Sequence, residues 1–240
     1  MRHLADKGIG LKVSGAIVPI VASAILFDLG ILNPFAFPSV EDGRTACMGA
    51  SLDPLPQGTV GAGTGATVGK VLGIEQAVKS GIGSSCIQLP SGPKVAALVA
   101  VNAIGGIVDY RSAEILAGPR IHDTQDYHDS MNLLLDERIS ELTPPLSNTT
   151  IGIVATDANI TKDESNFIAQ VSHDGLAMTI RPCHTIRDGD TMFAMGTCRQ
   201  TKTTDLTTLC AAAVEATAQA VINAVKFATP LGNIPCIGEV

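Results

Sequence analysis

An α/β sandwich is the fold class this sequence predicts, and three observations predict it. Val95-Ala96-Ala97-Leu98-Val99-Ala100-Val101 is a fully apolar run suited to an interior strand. Ile151-Gly152-Ile153-Val154-Ala155 is a second strand-like run with several β-branched residues. Thr161-Lys162-Asp163-Glu164 and Thr204-Asp205 each open a long helical pattern with a hydroxyl or carboxylate cap and an apolar side. No internal repeat and no long linker divides the chain, so residues 1–240 read as a single domain.

The elements follow in order. Met1 to Gly10 reads as the end of a helix closed by glycine. Val13 to Phe27 is apolar and is expected to be core strand and turn. It is too short for a membrane-spanning helix, which needs about 20 residues. Basic residues ahead of it and Ala22-Ser23-Ala24 suggest a secretory signal as a minority reading, which Pro19 and Asp28 weaken. Leu29 to Asp53 is a Pro-, Asn- and Gly-rich loop leading into a short helix.

The glycine-rich stretch from Pro56 to Lys70 invites a phosphate-loop reading. The pattern fails at Thr64, where glycine is required, and at Val71, where Ser or Thr is required. A turn in which backbones pack closely is the better reading. Ile82 to Asp109 gives two strands around Pro90-Ser91-Gly92-Pro93, with Asn102 just past the second. Ile115 to Ser140 is a polar loop followed by a helix around Ser130–Ser140. Beyond Thr161, Phe167, Ile168, Val171 and Leu176 are expected to line a buried helix side. Asp188-Gly189 signals a tight turn between strands at Met178–Arg181 and Thr191–Thr197. The last helix runs from Thr204-Asp205 to about Ala228.

Composition narrows the function classes. Hydrophobic residues make up 45% and charged residues 16%, against a usual quarter charged, so neighbouring subunits are expected to cover surface in a homo-oligomer. A net charge of −7 argues against nucleic acid and against an anionic membrane surface. The six cysteines are scattered without a Cys-x-x-Cys pair, and no histidine pair has metal-ligand spacing. Reduced thiols in a cytoplasmic protein, with no metal and no cofactor, are the expectation. His184 reads as an ordinary hydrogen-bonded histidine.

One stretch organises the rest. Pro144-Pro145-Leu146-Ser147-Asn148-Thr149-Thr150 is a polar turn leading directly into the Ile151 strand. The prolines exclude helix, so Thr149 is expected at the mouth of a buried strand. Asn148-Thr149-Thr150-Ile151 followed by Val154-Ala155-Thr156-Asp157-Ala158 resembles the P1 (S58, DmpA-type) self-processing aminopeptidases and amidases. The nylon-oligomer hydrolase branch is the nearest part of that family.

The resemblance implies an αββα sandwich of the N-terminal-nucleophile type and self-cleavage between Asn148 and Thr149 into 1–148 and 149–240. Thr149 then becomes the nucleophile, and its own freed amine, with an ordinary pKa of about 7.7–8, serves as base. Lys70 matches the family's active-site lysine and Asn102 its oxyanion-binding asparagine. Asp188 and Asp190, in His184-Thr185-Ile186-Arg187-Asp188-Gly189-Asp190, match its paired carboxylates. The implied substrates are small peptides, amino-acid amides or linear amide oligomers.

Gly15 to Leu29 resembles the family's Phe-Asp-Leu region, where the branch carries a tyrosine and this chain has Phe27. The resemblance places Phe27 at the substrate without the tyrosine's hydroxyl. The family pattern also has a glycine-rich segment and further strands ahead of this region, so the chain is expected to begin inside it. Two alternatives stay open: a truncated or inactive homologue with a structural role, and an acyltransferase of the ornithine acetyltransferase type.

Overall fold

The computed structural model describes residues 1–29, 33–142, 148–201 and 204–238. The expected turn from Pro144 to Ser147 therefore lies outside the described residues, while Asn148 and Thr149 lie within them. The chain runs α1 (Arg2–Asp6), β1 (Leu11–Val13), β2 (Ala16–Val18), α2 (Val40–Met48), β3 (Thr67–Val68), β4 (Val78–Lys79), β5 (Ile82–Gln88), β6 (Lys94–Ala100), β7 (Gly106–Val108) and β8 (Ile115–Ala117). It continues through α3 (Ser130–Leu135), α4 (Glu137–Leu142), β9 (Ile151–Thr156), α5 (Lys162–Thr179), β10 (Ile180–Arg181), β11 (Thr191–Gly196) and α6 (Leu206–Lys226).

The central sheet has the order β11-β9-β6-β5. β9 and β11 are parallel, and the other neighbours are antiparallel. Two parallel neighbours cannot be joined by a tight hairpin, so the chain crosses between them through α5. This overturns the expected strand–turn–strand around Asp188-Gly189. Met178 and Thr179 close helix α5, and β10 pairs with β7 in a separate sheet of order β10-β7-β8.

Alternation decides which face of the central sheet is covered. Val99, Val154 and Met192 point to one side and are buried in a single core with Ile168 and Leu176 of α5 and Leu209, Ala213, Val221 and Val225 of α6. Helix α6 is apolar and long enough to cross a bilayer by composition alone, but most of it is buried against the sheet, which makes it a core helix. Its alanines allow close approach. A Cβ on Gly83 of β5 would lie 2.0 Å from the Ala220 carbonyl oxygen. Helix α5 starts with a capping box in which Thr161 and Glu164 satisfy each other's backbone N–H groups.

Three further expectations are corrected. The segment from Val13 to Phe27 is not core: β1 and β2 form a small exposed hairpin, and Ile20 and Ile25 are 83% and 86% exposed. Its apolarity misled because no described element packs a second apolar surface onto it. Phe167 faces outward, while Ile168 and Leu176 carry the buried side of α5. The helix around Ser130–Ser140 is interrupted at Asp136, whose extended backbone separates α3 from α4.

Candidate active site

Three strand ends meet at one end of the central sheet. Ala100, Ile151 and Thr191 stand side by side in register. β6 runs antiparallel to β9, so the residues just after β6 lie beside those just before β9 and β11. This brings together Asn102, Asn148–Thr149 and Asp188–Asp190, which are far apart in sequence. Asn148 and Asp188 extend the parallel pairing as an isolated bridge.

Thr149 is buried, and its hydroxyl donates to the carbonyl oxygen of Asn148 at 2.6 Å. The backbone N–H of Gly189 donates to the same oxygen at 2.8 Å. The bond preceding Thr149 therefore carries a hydroxyl on one side and an amide donor where negative charge would develop. The Thr149 N–H in turn donates to the Asn102 carbonyl at 2.8 Å, fixing the residue between β6 and β11. The Asn148 backbone N–H is bound to the Arg187 carbonyl at 3.0 Å.

Asn102 is the hub. Its Oδ1 accepts from the Lys70 ammonium at 2.6 Å and from the Thr67 N–H at 3.2 Å. With its oxygen so committed, its Nδ2 donates to the Phe27 carbonyl at 2.8 Å. Phe27 thus meets the site through its backbone, and its side chain is about half exposed.

Lys70 reaches the hub because the backbone of Gly69 and Lys70 pairs with Gly105 and Ile104. Gly69 has φ +68°, and a Cβ there would lie 2.4 Å from the backbone of Gly118. A side chain is excluded on both counts. Burial pulls the Lys70 pKa down to about 7, opposed by the charges of Asp188 and Asp28 and assisted by that of Lys79.

The two carboxylates do not bond to Lys70 directly. Asp188 accepts from the Ile104 N–H at 3.2 Å and the Thr185 hydroxyl at 2.6 Å, and burial pushes its pKa up. It acts on Lys70 through its charge. Asp190 Oδ1 accepts from the Thr150 N–H at 2.9 Å, next to the candidate nucleophile. Its Oδ2 lies 2.9 Å from His184 Nδ1.

Several contributors are invisible to motif reading. Gly189 acts through its backbone, and the turn signal Asp188-Gly189 was its only trace. Lys79 is fully buried, pulled to about 8 by burial, and its ammonium donates to the carbonyls of Gly63, Ala66 and Ser80. It holds the glycine-rich turn that leads to Thr67 and Lys70. A lone lysine between Val78 and Ser80, next to the Gly81–Ile82 start of a strand, was the available signal.

Residues 2–234 match the model of Peptidase family S58. An uncharacterized aminopeptidase of Mycobacterium leprae (strain TN) is 37% identical over 260 residues, spanning 98% of this chain and 68% of that protein. A 6-aminohexanoate-oligomer endohydrolase of Paenarthrobacter ureafaciens is 31% identical over 187 residues, spanning 74% of this chain and 50% of that protein.

Among solved structures, a Burkholderia sp. beta-aminopeptidase aligns with TM-score 0.56 at 20% identity, over 84% of this chain and 56% of its own. The L-aminopeptidase D-Ala-esterase/amidase of Ochrobactrum anthropi aligns with TM-score 0.52 at 21% identity, over 81% and 51%. Its structure is described as a new variant among the Ntn hydrolase fold, and these two likenesses show that fold here. The chain spans about half the length of the endohydrolase and of both solved aminopeptidases. With the family model matched over nearly its whole length, the chain belongs to peptidase family S58.

Proposed function

We propose that this protein is a self-processing N-terminal-threonine amidohydrolase whose nucleophile is Thr149. The observation that carries the reading is the pair of contacts on one carbonyl: Thr149 Oγ1 at 2.6 Å and the Gly189 N–H at 2.8 Å from Asn148 O. Thr149 Oγ attacks the Asn148 carbonyl carbon, and the Gly189 N–H stabilises the oxyanion. Collapse breaks the C–N bond, the Thr149 nitrogen takes a proton, and an ester joins Asn148 to Oγ. Water then hydrolyses the ester, giving 1–148 with a new carboxylate and 149–240 with a free amine.

In the cleaved enzyme that amine takes the hydroxyl proton during attack on a substrate amide. Lys70, with its pKa near 7, carries its charge in a fraction of molecules at neutral pH, and that charge favours the neutral form of the freed Thr149 amine and stabilises developing negative charge. Asn102 turns from the Phe27 carbonyl to the substrate oxyanion, or holds the Phe27 segment while Gly189 serves alone. Asp188 and Asp190 position the turn between them. Neither a metal nor a cofactor enters these steps. Small peptides, amino-acid amides and linear amide oligomers are the substrate class, by analogy with the activities named for the relatives.

The working unit is a homo-oligomer of cleaved chains, which the exposed apolar residues of the N-terminal segment support. A cytoplasmic setting is supported by six cysteines, none of which forms a disulfide.

The test is the intact mass of the purified protein under denaturing conditions, beside Thr149→Ala. Two pieces, 1–148 and 149–240, in the wild type and one piece in the variant are expected. A single uncut chain in both would overturn self-processing at this bond.

A further inference from the structure

Next to the Thr149 junction lies a cluster that the mechanism uses only in part. Cys183 Sγ donates to Asp190 Oδ2 at 3.4 Å, and His184 Nδ1 lies 2.9 Å from that same oxygen. One ligand atom from each of the three residues lies within 4.8 Å of the others. Around a tetrahedral zinc ion, a thiolate, an imidazole and a carboxylate sit about 3.4–3.6 Å from one another, given bond lengths of about 2.0–2.3 Å. The two distances to Asp190 Oδ2, 3.4 and 2.9 Å, stand near that spacing, and the Cys183 and His184 donors lie within 4.8 Å of each other. We propose that Cys183, His184 and Asp190 form a binding site for a divalent metal of the zinc class.

The surroundings fit a metal better than a structural hydrogen-bond cluster alone. Asp190 is buried, and its Oδ1 is held by the Thr150 N–H, so Oδ2 is the oxygen presented to the cluster. His184 Nε2 lies 3.2 Å from His173 Nδ1. When His184 binds metal through Nδ1, its proton sits on Nε2 and His173 accepts it, an outer contact that fixes ring and tautomer.

His184 adopts φ +57°, in the left-handed region that non-glycine residues seldom enter. This bend lets adjacent residues 183 and 184 both aim at Asp190, which is why spacing rules for metal ligands do not reveal the set. His184 is also partly exposed, giving the ion a route in and leaving a coordination position for water. Sulfur and nitrogen donors beside one carboxylate select zinc-like ions over calcium or magnesium. On binding, the Cys183 thiol releases its proton to solvent, while the proton of a neutral His184 stays on the ring at Nε2.

Occupancy would place positive charge on Asp190, whose other oxygen anchors the residue after Thr149. Resting on the function proposed above, zinc is then expected to slow appearance of the 149–240 piece.

The decisive experiment is titration of the full chain with Co2+ as a zinc surrogate, read by absorption. The expected result is one site per chain, with a thiolate-to-cobalt band in the near ultraviolet and intense visible bands of a four-coordinate ion, all abolished by added Zn2+. Cys183→Ser should lose the near-ultraviolet band, and His184→Asn, which tolerates the same backbone, should lose the four-coordinate spectrum. Cys198→Ser, which removes an exposed thiol elsewhere, should change nothing. His173→Ala should weaken Co2+ binding roughly tenfold.

Circular dichroism checks folding, and if Cys183→Ser does not fold, His184→Asn decides. A wild type without the bands, or bands that persist in the folded variants, would overturn the site. If the chain never cleaves, self-processing falls, while the spectra still decide the metal.

Discussion

The N–H of Gly189 and the hydroxyl of Thr149 converge on one carbonyl oxygen, and this contact leaves no slack. A Cβ on Gly189 would lie 3.2 Å from Thr149 Oγ1 and 3.7 Å from Asn148 O. Gly189→Ala should therefore displace the hydroxyl without removing any group, slowing self-cleavage by about 10- to 100-fold, less than the roughly 100- to 1,000-fold effect of deleting an oxyanion donor. A time course of intact mass checks this, and unchanged kinetics would remove Gly189 from the mechanism. Lys70 gives a second residue-scale test, through pH. Its folded pKa, about 7, lies below its ordinary 10.5, so between those values the unfolded chain holds the extra proton and stability rises with pH. Below pH 7 the buried charge is present and its cost is full. Lys70→Met should abolish this slope, which reaches up to about 1.4 kcal/mol per pH unit. Denaturant unfolding of both proteins at pH 7 and pH 9 measures it; Lys79 is common to both and cancels. Equal slopes would show that Lys70 is not held near neutrality.

At the scale of elements, Gly83 sets how closely α6 lies on the sheet and Gly175 how closely α5 and α6 approach each other. A Cβ on Gly83 would meet the α6 backbone at Ala220 and Ala224, and one on Gly175 would lie 2.6 Å from the Val214 carbonyl oxygen. Gly83→Ala should force β5 from α6 and cost about 1–3 kcal/mol, the usual range for overpacking. Thr161→Ala, which removes only the cap of α5, should cost about 1 kcal/mol. Equilibrium unfolding separates the two, and a neutral Gly83→Ala would mean that the helix layer yields freely. The same elements show what was legible in the sequence. β5, β6, β9, α5 and α6 were readable because each carries a local signal: an apolar run, a turn, or a capping residue at a strong periodicity. The parallel pairing of β11 with β9 was not, because Asp188-Gly189 looks like a hairpin turn and nothing local reports that α5 has already changed the strand's direction. Asn102, Thr149 and the aspartates were legible through a family resemblance, but their wiring was not. That Asn102 donates to Phe27, or that Asp190 holds Thr150 rather than Lys70, depends on strand register and on a backbone amide that has no side-chain signature.

Across the whole molecule, the apolar surface is unevenly covered. The face of the central sheet under α5 and α6 is closed, while Leu98, Ile153 and Phe193, which stand side by side on the other face, are only half buried. The N-terminal segment adds Leu11, Ile20, Ile25, Phe35 and Phe37 to the exposed apolar area. Scattered exposed apolar residues are ordinary, but concentrations of this kind mark an interaction surface. With only 16% of residues charged to keep such surfaces apart, association of like chains is the economical way to cover them. Sedimentation should therefore give a mass that is a multiple of 24.7 kDa, with both pieces travelling together if the chain is cut. Ile20→Lys with Ile25→Lys tests which surface is responsible, because both side chains are already in solvent and the folded core does not depend on them. Dissociation of the double variant would assign the contact to the N-terminal segment; retained assembly would assign it to the open sheet face. A wild-type chain that stays monomeric at every concentration would show that these surfaces do not bring like chains together.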